Sequence, residues 1–210
     1  MNLLDFFASH RAEILQATLA HVFLVVVSMA IAIAIGVPLG MILVRRIRLR
    51  AMALGFASVL QTIPSLALFG FLIPLPFLGG IGTRTAIVAL VLYALLPILR
   101  NTVVGLTNLD PAVLEAAEAM GMTETQILVK VRFPLGLSVV LAGVRTATVI
   151  TIGVATIAAA IGAGGLGTFI FRGVAMVSDA VILAGAIPAA LLALAADAAL
   201  GLLERKLKVV

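Results

Sequence analysis

The longest polar stretch of this sequence is D-P-A-V-L-E-A-A-E-A-M-G-M-T-E-T-Q-I-L-V-K-V-R-F-P, residues 110–134. Its charged side chains need water, whereas the segments on both sides are apolar, so it predicts a polar connection between two membrane spans. Asp110 is an N-cap residue followed by Pro111 at the first helical position, and Gly121 fits a C-terminal cap. Thr123 and Gln126 have the spacing of a capping box, which opens a second helix. The stretch therefore predicts a finger of two short helices whose apolar face contacts something other than lipid.

The composition places this finger in a membrane protein. Of the 210 residues, 63% are hydrophobic and 11% are charged, about half the charged fraction of a typical soluble domain. The predicted fold class is all-α, a polytopic bundle of about five transmembrane helices in one compact domain. The absence of cysteine excludes disulfides, and the net charge of +5 is better explained by membrane orientation than by nucleic acid.

Apolar segments on both sides of the finger predict the membrane spans, at about 17–44, 52–73, 85–106, 136–161 and 179–203. Residues 1–16 are weakly amphipathic and predict an N-terminal interfacial segment. Residues 17–210 then form the transmembrane domain, in which the finger and its flanks occupy 107–134.

Proline and glycine predict where the helices are interrupted. In span two, Pro64 removes a helix hydrogen bond, so hydroxyl groups or neighbouring helices must satisfy the freed carbonyl. Phe133-Pro134 is expected to end the second helix of the finger. The glycine-rich residues 161–168 are expected to form a loop, because so many glycines do not sustain a helix.

The basic residues predict the orientation of the bundle. With the finger in the cytoplasm, ten of them lie on or near the cytoplasmic side: Arg45, Arg46, Arg48, Arg50, Arg100, Lys130, Arg132, Arg205, Lys206 and Lys208. Three fall on the outer side: Arg11, Arg84 and Arg172. This positive-inside pattern predicts an N-terminus outside and a C-terminus in the cytoplasm.

The sequence contains no recognisable catalytic chemistry. There is no G-x-x-x-x-G-K-[ST] phosphate loop, and the glycines at 162–167 lack the lysine. His10 and His21 stand alone and there are no thiols, so no metal site is predicted. Every acid in 110–124 belongs to the solvated finger. The chain is therefore not expected to be an enzyme in its own right.

The finger resembles a loop of a known family. Glu115-Ala116-Ala117, then Gly121, then Val131-Arg132-Phe133-Pro134 look like the E-A-A…G…I-x-L-P loop of ATP-binding-cassette (ABC) importer permeases, with Val131 and Phe133 replacing the family's usual Ile and Leu. In that family the loop is cytoplasmic and docks into a groove on the ATPase subunit. The resemblance implies an ATPase-coupling role for Glu115, Ala116, Ala117, Gly121 and Pro134. It also implies that ATP and Mg²⁺ are bound by the partner ATPase, with no cofactor in this chain.

A longer resemblance narrows the family. The stretches L-Q-T-I-P-S-L-A-L-F-G-F-L-I-P (60–74), L-Y-A-L-L-P-I-L-R-N-T (92–102) and L-A-G-A-I-P-A-A-L-L-A-L-A-A-D (183–197) look like the osmoprotectant permease group. Members of that group import glycine betaine, carnitine, choline or proline betaine. The resemblance implies a bacterial cytoplasmic-membrane permease paired with a second copy or a sister permease. Its other implied partners are two ABC ATPase subunits and an extracytoplasmic substrate-binding protein.

Five residues at membrane depth are candidates for the translocation pathway: Gln61, Thr62, Pro64, Ser65 and Tyr93. The alternative is that their polar groups only form hydrogen bonds between helices. A quaternary ammonium is best held by an aromatic cage. Since the chain has no Trp and one Tyr, we expect that cage in the binding protein.

Three charged residues lie away from the outer ends of the predicted spans: Asp197, Arg145 and Arg100. An unpaired charge at that depth is costly, so Asp197 is expected to pair with one of the two arginines. Arg145 is favoured because spans four and five are consecutive. The pair is expected to lock the helices together, and a transport-linked role is the alternative.

Three other functions stay open at the level of sequence. The chain could be a permease for another small solute, such as an amino acid. It could be an ion-coupled secondary carrier with Arg100, Arg145 and Asp197 as a charge relay, although five spans and the finger argue against this. Transport that persists without ATP but collapses with an ionophore would support the carrier. A purely structural membrane subunit predicts no loss of uptake on deletion.

Overall fold

The computed structural model of the protein describes residues 3–207, which form helices and, within that range, no strand. In chain order the α-helices are α1 (Leu3–Ser9), α2 (Arg11–Val44), α3 (Ile47–Thr62), α4 (Ser65–Leu72), α5 (Thr83–Thr107), α6 (Pro111–Ala119), α7 (Glu124–Ile127), α8 (Phe133–Ile157), α9 (Gly167–Ala175) and α10 (Asp179–Lys206). A π-helical turn, Leu128–Arg132, joins α7 to α8, and a 3₁₀ turn, Ala158–Ile161, follows α8. Met1 and Asn2 of the predicted interfacial segment, and the predicted cytoplasmic Lys208, lie outside the described residues.

Within the described residues 3–207, four helical stretches are long and apolar enough to cross a membrane: Arg11–Val44, Thr83–Thr107, Glu124–Ile161 and Asp179–Lys206. A fifth crossing is available if the bent pair α3 and α4 counts as one span. The all-α class and the expected bundle of about five spans are therefore confirmed.

The second span is broken at Pro64. The helix direction bends by 103° between α3 and α4. Ile63 adopts an extended conformation there, because the ring of a following proline disfavours the helical one. The Tyr93 hydroxyl on α5 donates a hydrogen bond to the Ile63 carbonyl. A neighbouring helix therefore binds one carbonyl at the break, while the Leu60 carbonyl, which a helical N–H at position 64 would have bound, accepts from the Ile63 N–H at 3.3 Å.

The helix boundary near the N-terminus lies before the predicted segment boundary. Helix α2 begins at Arg11, so residues 11–16 belong to the same helix as the first predicted span. The side chain of Phe6 on α1 is buried against Ile14, Phe169 and Val181. The face of α1 that carries Phe6 thus packs on protein. An amphipathic sequence pattern alone does not distinguish such packing from packing on lipid.

The prediction that the second helix of the finger ends at Phe133-Pro134 was wrong. Residues Glu124–Ile161 form one helical stretch. The π-helical turn explains the continuity: the Phe133 N–H donates to the Leu128 carbonyl, five residues back. Pro134 is the second residue of α8, and the π-helical turn just before it is the kind of local adjustment by which a continuous helix tolerates a proline.

Helix α5 is the centre of the bundle and packs against both α2 and α8. Its buried positions are mainly apolar, and Ala86, Leu90 and Ile98 are inaccessible to solvent. The finger connects the end of α5 to the start of α8, where the two backbones cross closely at Gly105 and Gly136. This crossing fixes the base of the finger against the bundle.

Candidate functional site

The finger has the caps that its sequence predicts. An Asp110 carboxylate oxygen accepts a hydrogen bond from the Ala112 N–H at 2.9 Å, and both hydrogen bonds of the Thr123–Gln126 capping box are present. Gly121 follows α6 with φ +75°, a conformation that a side chain disfavours. Local hydrogen bonds therefore hold the two helices and the turn between them in a defined shape.

The predicted coupling residues do not all face outward. Glu115, Ala116, Gly121 and Pro134 are exposed. Ala117 is buried, with 2% of its surface accessible, so this side chain packs inward instead of contacting a partner.

The outer surface of the finger also includes apolar residues that were not predicted as contacts. Met120 is 73% exposed and Val129 is 51% exposed. In the sequence, a methionine directly before the glycine turn that joins two capped helices is the signal that could have identified this surface.

Two arginines connect the finger to the ends of the spans. Arg45, just after α2, lies 3.7 Å from the Glu124 carboxylate and donates to the Thr125 hydroxyl at 3.3 Å. Arg132 donates to the Leu106 carbonyl in the last turn of α5 at 2.9 Å. Sequence reasoning used both arginines only for orientation and missed these contacts.

The candidate pathway residues gather around one cavity. A space of about 340 Å³ is lined by Gln61, Thr62, Ile63, Pro64, Ser65, Tyr93, Ile150 and Val154. All five predicted residues are among them, and the broken span forms one wall while α5 and α8 form the others.

Hydrogen bonds between helices fix two of the cavity residues. Gln61 donates to the Tyr93 carbonyl at 3.0 Å, and the Tyr93 hydroxyl is engaged at the break. Thr62 donates to the Val59 carbonyl on its own helix at 2.7 Å. Gln61 and Tyr93 therefore form hydrogen bonds between helices and also line the cavity, and the pathway role of the five residues stays a prediction.

Arg145 and Asp197 meet between α8 and α10. Arg145 Nε and Nη2 donate to the two carboxylate oxygens of Asp197 at 2.6 and 2.7 Å, a bidentate geometry. Arg145 Nη1 also contacts Glu204 at 3.4 Å. Glu204 was missed, although it lies seven residues after Asp197, two turns along the same helix face.

The third candidate for this charge cluster is not part of it. Arg100 is exposed and forms no ion pair with any residue in the range 3–207. Of the two arginines considered for Asp197, Arg145 is therefore the one that contacts it.

Known proteins resemble the chain over nearly its whole length. A family model described as "Binding-protein-dependent transport system inner membrane component" matches residues 32–209. The chain is 45% identical over 205 residues to the carnitine transport permease protein OpuCB of Listeria monocytogenes, covering 98% of this chain and 93% of that protein. It is 43% identical over 203 residues to the glycine betaine/carnitine/choline transport system permease protein OpuCD of Bacillus subtilis, covering 96% and 87%.

Solved structures share the fold. A chain of the MetNI methionine ABC transporter in inward-facing conformations matches with a TM-score of 0.80 and 25% identity, covering 90% of this chain and 93% of that one. An amino acid ABC transporter matches with a TM-score of 0.82 and 17% identity, a likeness of fold alone. The expected family is thereby confirmed: the chain belongs to the binding-protein-dependent transport system inner membrane components.

Proposed function

We propose that this chain is the membrane-spanning permease subunit of an ATP-driven importer for small quaternary-ammonium osmoprotectants, working by alternating access. The observation that carries the proposal is the identity of 43–45% over nearly the whole chain to permeases named for carnitine, glycine betaine and choline transport. Alternating access needs a passage that different helix arrangements open in turn. The cavity at the broken span is the candidate for that passage.

The finger is the proposed contact with the ATPase. Its exposed surface offers Glu115, Ala116, Met120 and Val129, of which three are apolar, on a capped and therefore pre-shaped pair of helices. Such a rigid apolar surface loses little conformational freedom on docking. ATP and Mg²⁺ would be bound and used by that separate subunit.

The orientation follows from the same assignment. With the finger in the cytoplasm, the α2–α3 connection and the end of α10 are cytoplasmic and the N-terminus is outside. The Arg45–Glu124 contact supports this, because it joins the arginine-rich end of α2 to the finger. The membrane would be a bacterial cytoplasmic membrane.

The permease is proposed to select its substrate only weakly. Tyr93 is the only Tyr and the chain has no Trp, and the Tyr93 hydroxyl is already occupied at the helix break. An aromatic cage for a quaternary ammonium would therefore belong to an extracytoplasmic binding protein. The remaining partner is a second copy of this chain or a sister permease.

Reconstitution tests this proposal. Proteoliposomes containing the permease, its ATPase and its binding protein should hydrolyse ATP faster with glycine betaine, carnitine or choline, and should accumulate the stimulating solute. Stimulation by amino acids but not by betaines would assign another substrate class. Uptake that needs no ATP but is abolished by an ionophore would replace the importer with an ion-coupled carrier.

A further inference from the structure

The second helix of the finger and the fourth span are one helical body. Glu124–Ile161 is helical throughout, including the π-helical turn. No loop therefore separates α7 and Val129 from α8, whereas Glu115, Ala116 and Met120 of the proposed ATPase-facing surface lie before the turn at Gly121. A displacement of α7 must either move α8 or deform the π-helical turn.

Arg145 joins this body to α10 by two short parallel hydrogen bonds to Asp197. The guanidinium lies against Gly201, where a Cβ atom would be 3.0 Å from Nη1 and 3.1 Å from Cζ. The missing side chain at Gly201 thus provides the space in which the Arg145 fork lies flat on α10. This geometry fixes the two helices in position as well as balancing a charge.

The other end of α10 is packed against the segment that follows the glycine-rich loop. A Cβ atom at Gly185 would lie 2.5 Å from the Leu166 carbonyl and 2.9 Å from the Phe169 Cβ. At Gly173 on α9 it would lie 2.5 Å from the backbone nitrogen of Ile182 on α10. Backbone contacts this close leave little room for α10 to move without α9.

The Arg145–Asp197 pair is separate from the candidate pathway. On α8, Ile150 and Val154 line the cavity. They lie five and nine residues after Arg145, which at about 100° per residue is roughly 140° and 180° around the helix. The pair is thus on the opposite face of α8, away from any solute in the cavity.

We propose that the Arg145–Asp197 pair is the link that makes α10 follow the finger-bearing helix, so that movement at the ATPase reaches α9 and the glycine-rich loop at the other end of the bundle. The inference rests on the proposed function, since it assumes that the finger docks on an ATPase. Arg145 and Asp197 are then positioning residues for transport: they do not touch the solute, and they set how much transport each ATP drives.

The test compares Asp197→Asn with Glu204→Gln in the reconstituted complex. Each variant removes one carboxylate and leaves the other to balance Arg145. Only Asp197→Asn removes the bidentate contact, because Glu204 contributes a single 3.4 Å contact. The measured quantities are the rate of ATP hydrolysis, the betaine taken up per ATP, and the melting temperature of the complex.

Asp197→Asn is expected to hydrolyse ATP while its uptake per ATP falls at least about five-fold, the lower end of a typical coupling interaction. Glu204→Gln should keep the wild-type ratio. Arg145→Lys, which keeps the charge but not the fork, should be uncoupled like Asp197→Asn and serves if that variant does not accumulate.

A purely structural clamp gives a different result. Assembled Asp197→Asn and Arg145→Lys complexes would then melt at a lower temperature but take up as much betaine per ATP as wild type, which overturns the link. If the wild-type complex itself shows no solute-stimulated ATP hydrolysis, the proposed function fails instead.

Discussion

The crossing of α5 and α8 at the base of the finger gives a quantitative prediction for Gly105→Ala. A Cβ atom at Gly105 would lie 2.8 Å from the Gly136 carbonyl oxygen and 2.9 Å from the Val139 Cβ. Ordinary contacts begin at 3.4 Å, so the helices would have to separate by about 0.6 Å, and overpacking of this kind costs about 1–3 kcal/mol. The Gly136 backbone cannot rotate away as a flexible side chain would.

Gly153→Ala is the matched control for this change. Gly153 is also helical, in α8, and nothing lies within 4 Å of an added Cβ atom there. Both substitutions gain up to about 1 kcal/mol of helix propensity. The difference between the two variants therefore reports the packing cost alone.

Thermal unfolding of the detergent-solubilised permease measures this difference. For a chain of about 200 residues, each kcal/mol corresponds to roughly 2–4 °C, so Gly105→Ala should melt about 2–12 °C below Gly153→Ala. We also expect weaker retention of the ATPase, because the base of the finger is displaced. Equal melting temperatures for the two variants would show that the crossing is looser than the structure indicates and would refute the reasoning.

Three further experiments test other parts of the molecule. Gly121→Val forces a branched side chain into the left-handed region at a cost of at least roughly 1 kcal/mol and should reduce co-purification of the ATPase, whereas Gly121→Asn should reduce it less; equal retention by the two variants would argue against a shaped docking turn. Tyr93→Phe leaves the carbonyl at the broken span without its donor, so the unfolding free energy should fall by about 1–3 kcal/mol, and an unchanged melting temperature would mean that another group satisfies that carbonyl. Gly165→Ala places a Cβ atom 3.1 Å from Nδ1 of buried His21, whereas at Gly164, where φ is +78° against +79° at Gly165, an added Cβ atom meets open space. Gly165→Ala should therefore lower solute uptake more than Gly164→Ala. Identical losses of uptake would attribute the effect to backbone strain alone.

The parts of the fold that the sequence predicts well are held by neighbours in the chain. The Asp110 cap, the Gly121 turn and the capping box of Thr123 and Gln126 each depend on residues within a few positions. The Arg145–Asp197 contact is long-range but was predictable for another reason. A charge at membrane depth is expected to find an opposite charge, and few were available in the spans.

The prolines show why other features were not predictable. Pro38, Pro97 and Pro188 lie inside continuous helices, whereas the helix breaks at Pro64. All four prolines directly follow an aliphatic residue, so the preceding side chain does not distinguish them. At Pro64, however, a hydroxyl from α5 binds the exposed carbonyl, and that partner is 30 positions away in sequence. Whether proline bends or breaks a span thus depends on what the neighbouring helix offers.

The lining of the cavity at the broken span was predictable only in part. Gln61, Thr62, Pro64, Ser65 and Tyr93 could be singled out because polar groups and proline are conspicuous in an apolar span, whereas the apolar Ile63, Ile150 and Val154 could not. The burial of Ala117 could not be predicted, because a short alanine fits either a docking surface or a packed helix face. The side that it faces is decided by tertiary packing around the finger.

The π-helical turn at Leu128–Arg132 determines the angular register between the finger and the fourth span. Such a turn holds one residue more than an α-helical turn, and one residue corresponds to about 100° of rotation. A helical wheel drawn straight through residues 124–157 therefore misassigns the faces on one side of Arg132. Removing one residue from this turn would redirect the finger by about a quarter of a revolution without changing any residue of the span. The direction in which the finger points is thus set by the residue count of this turn.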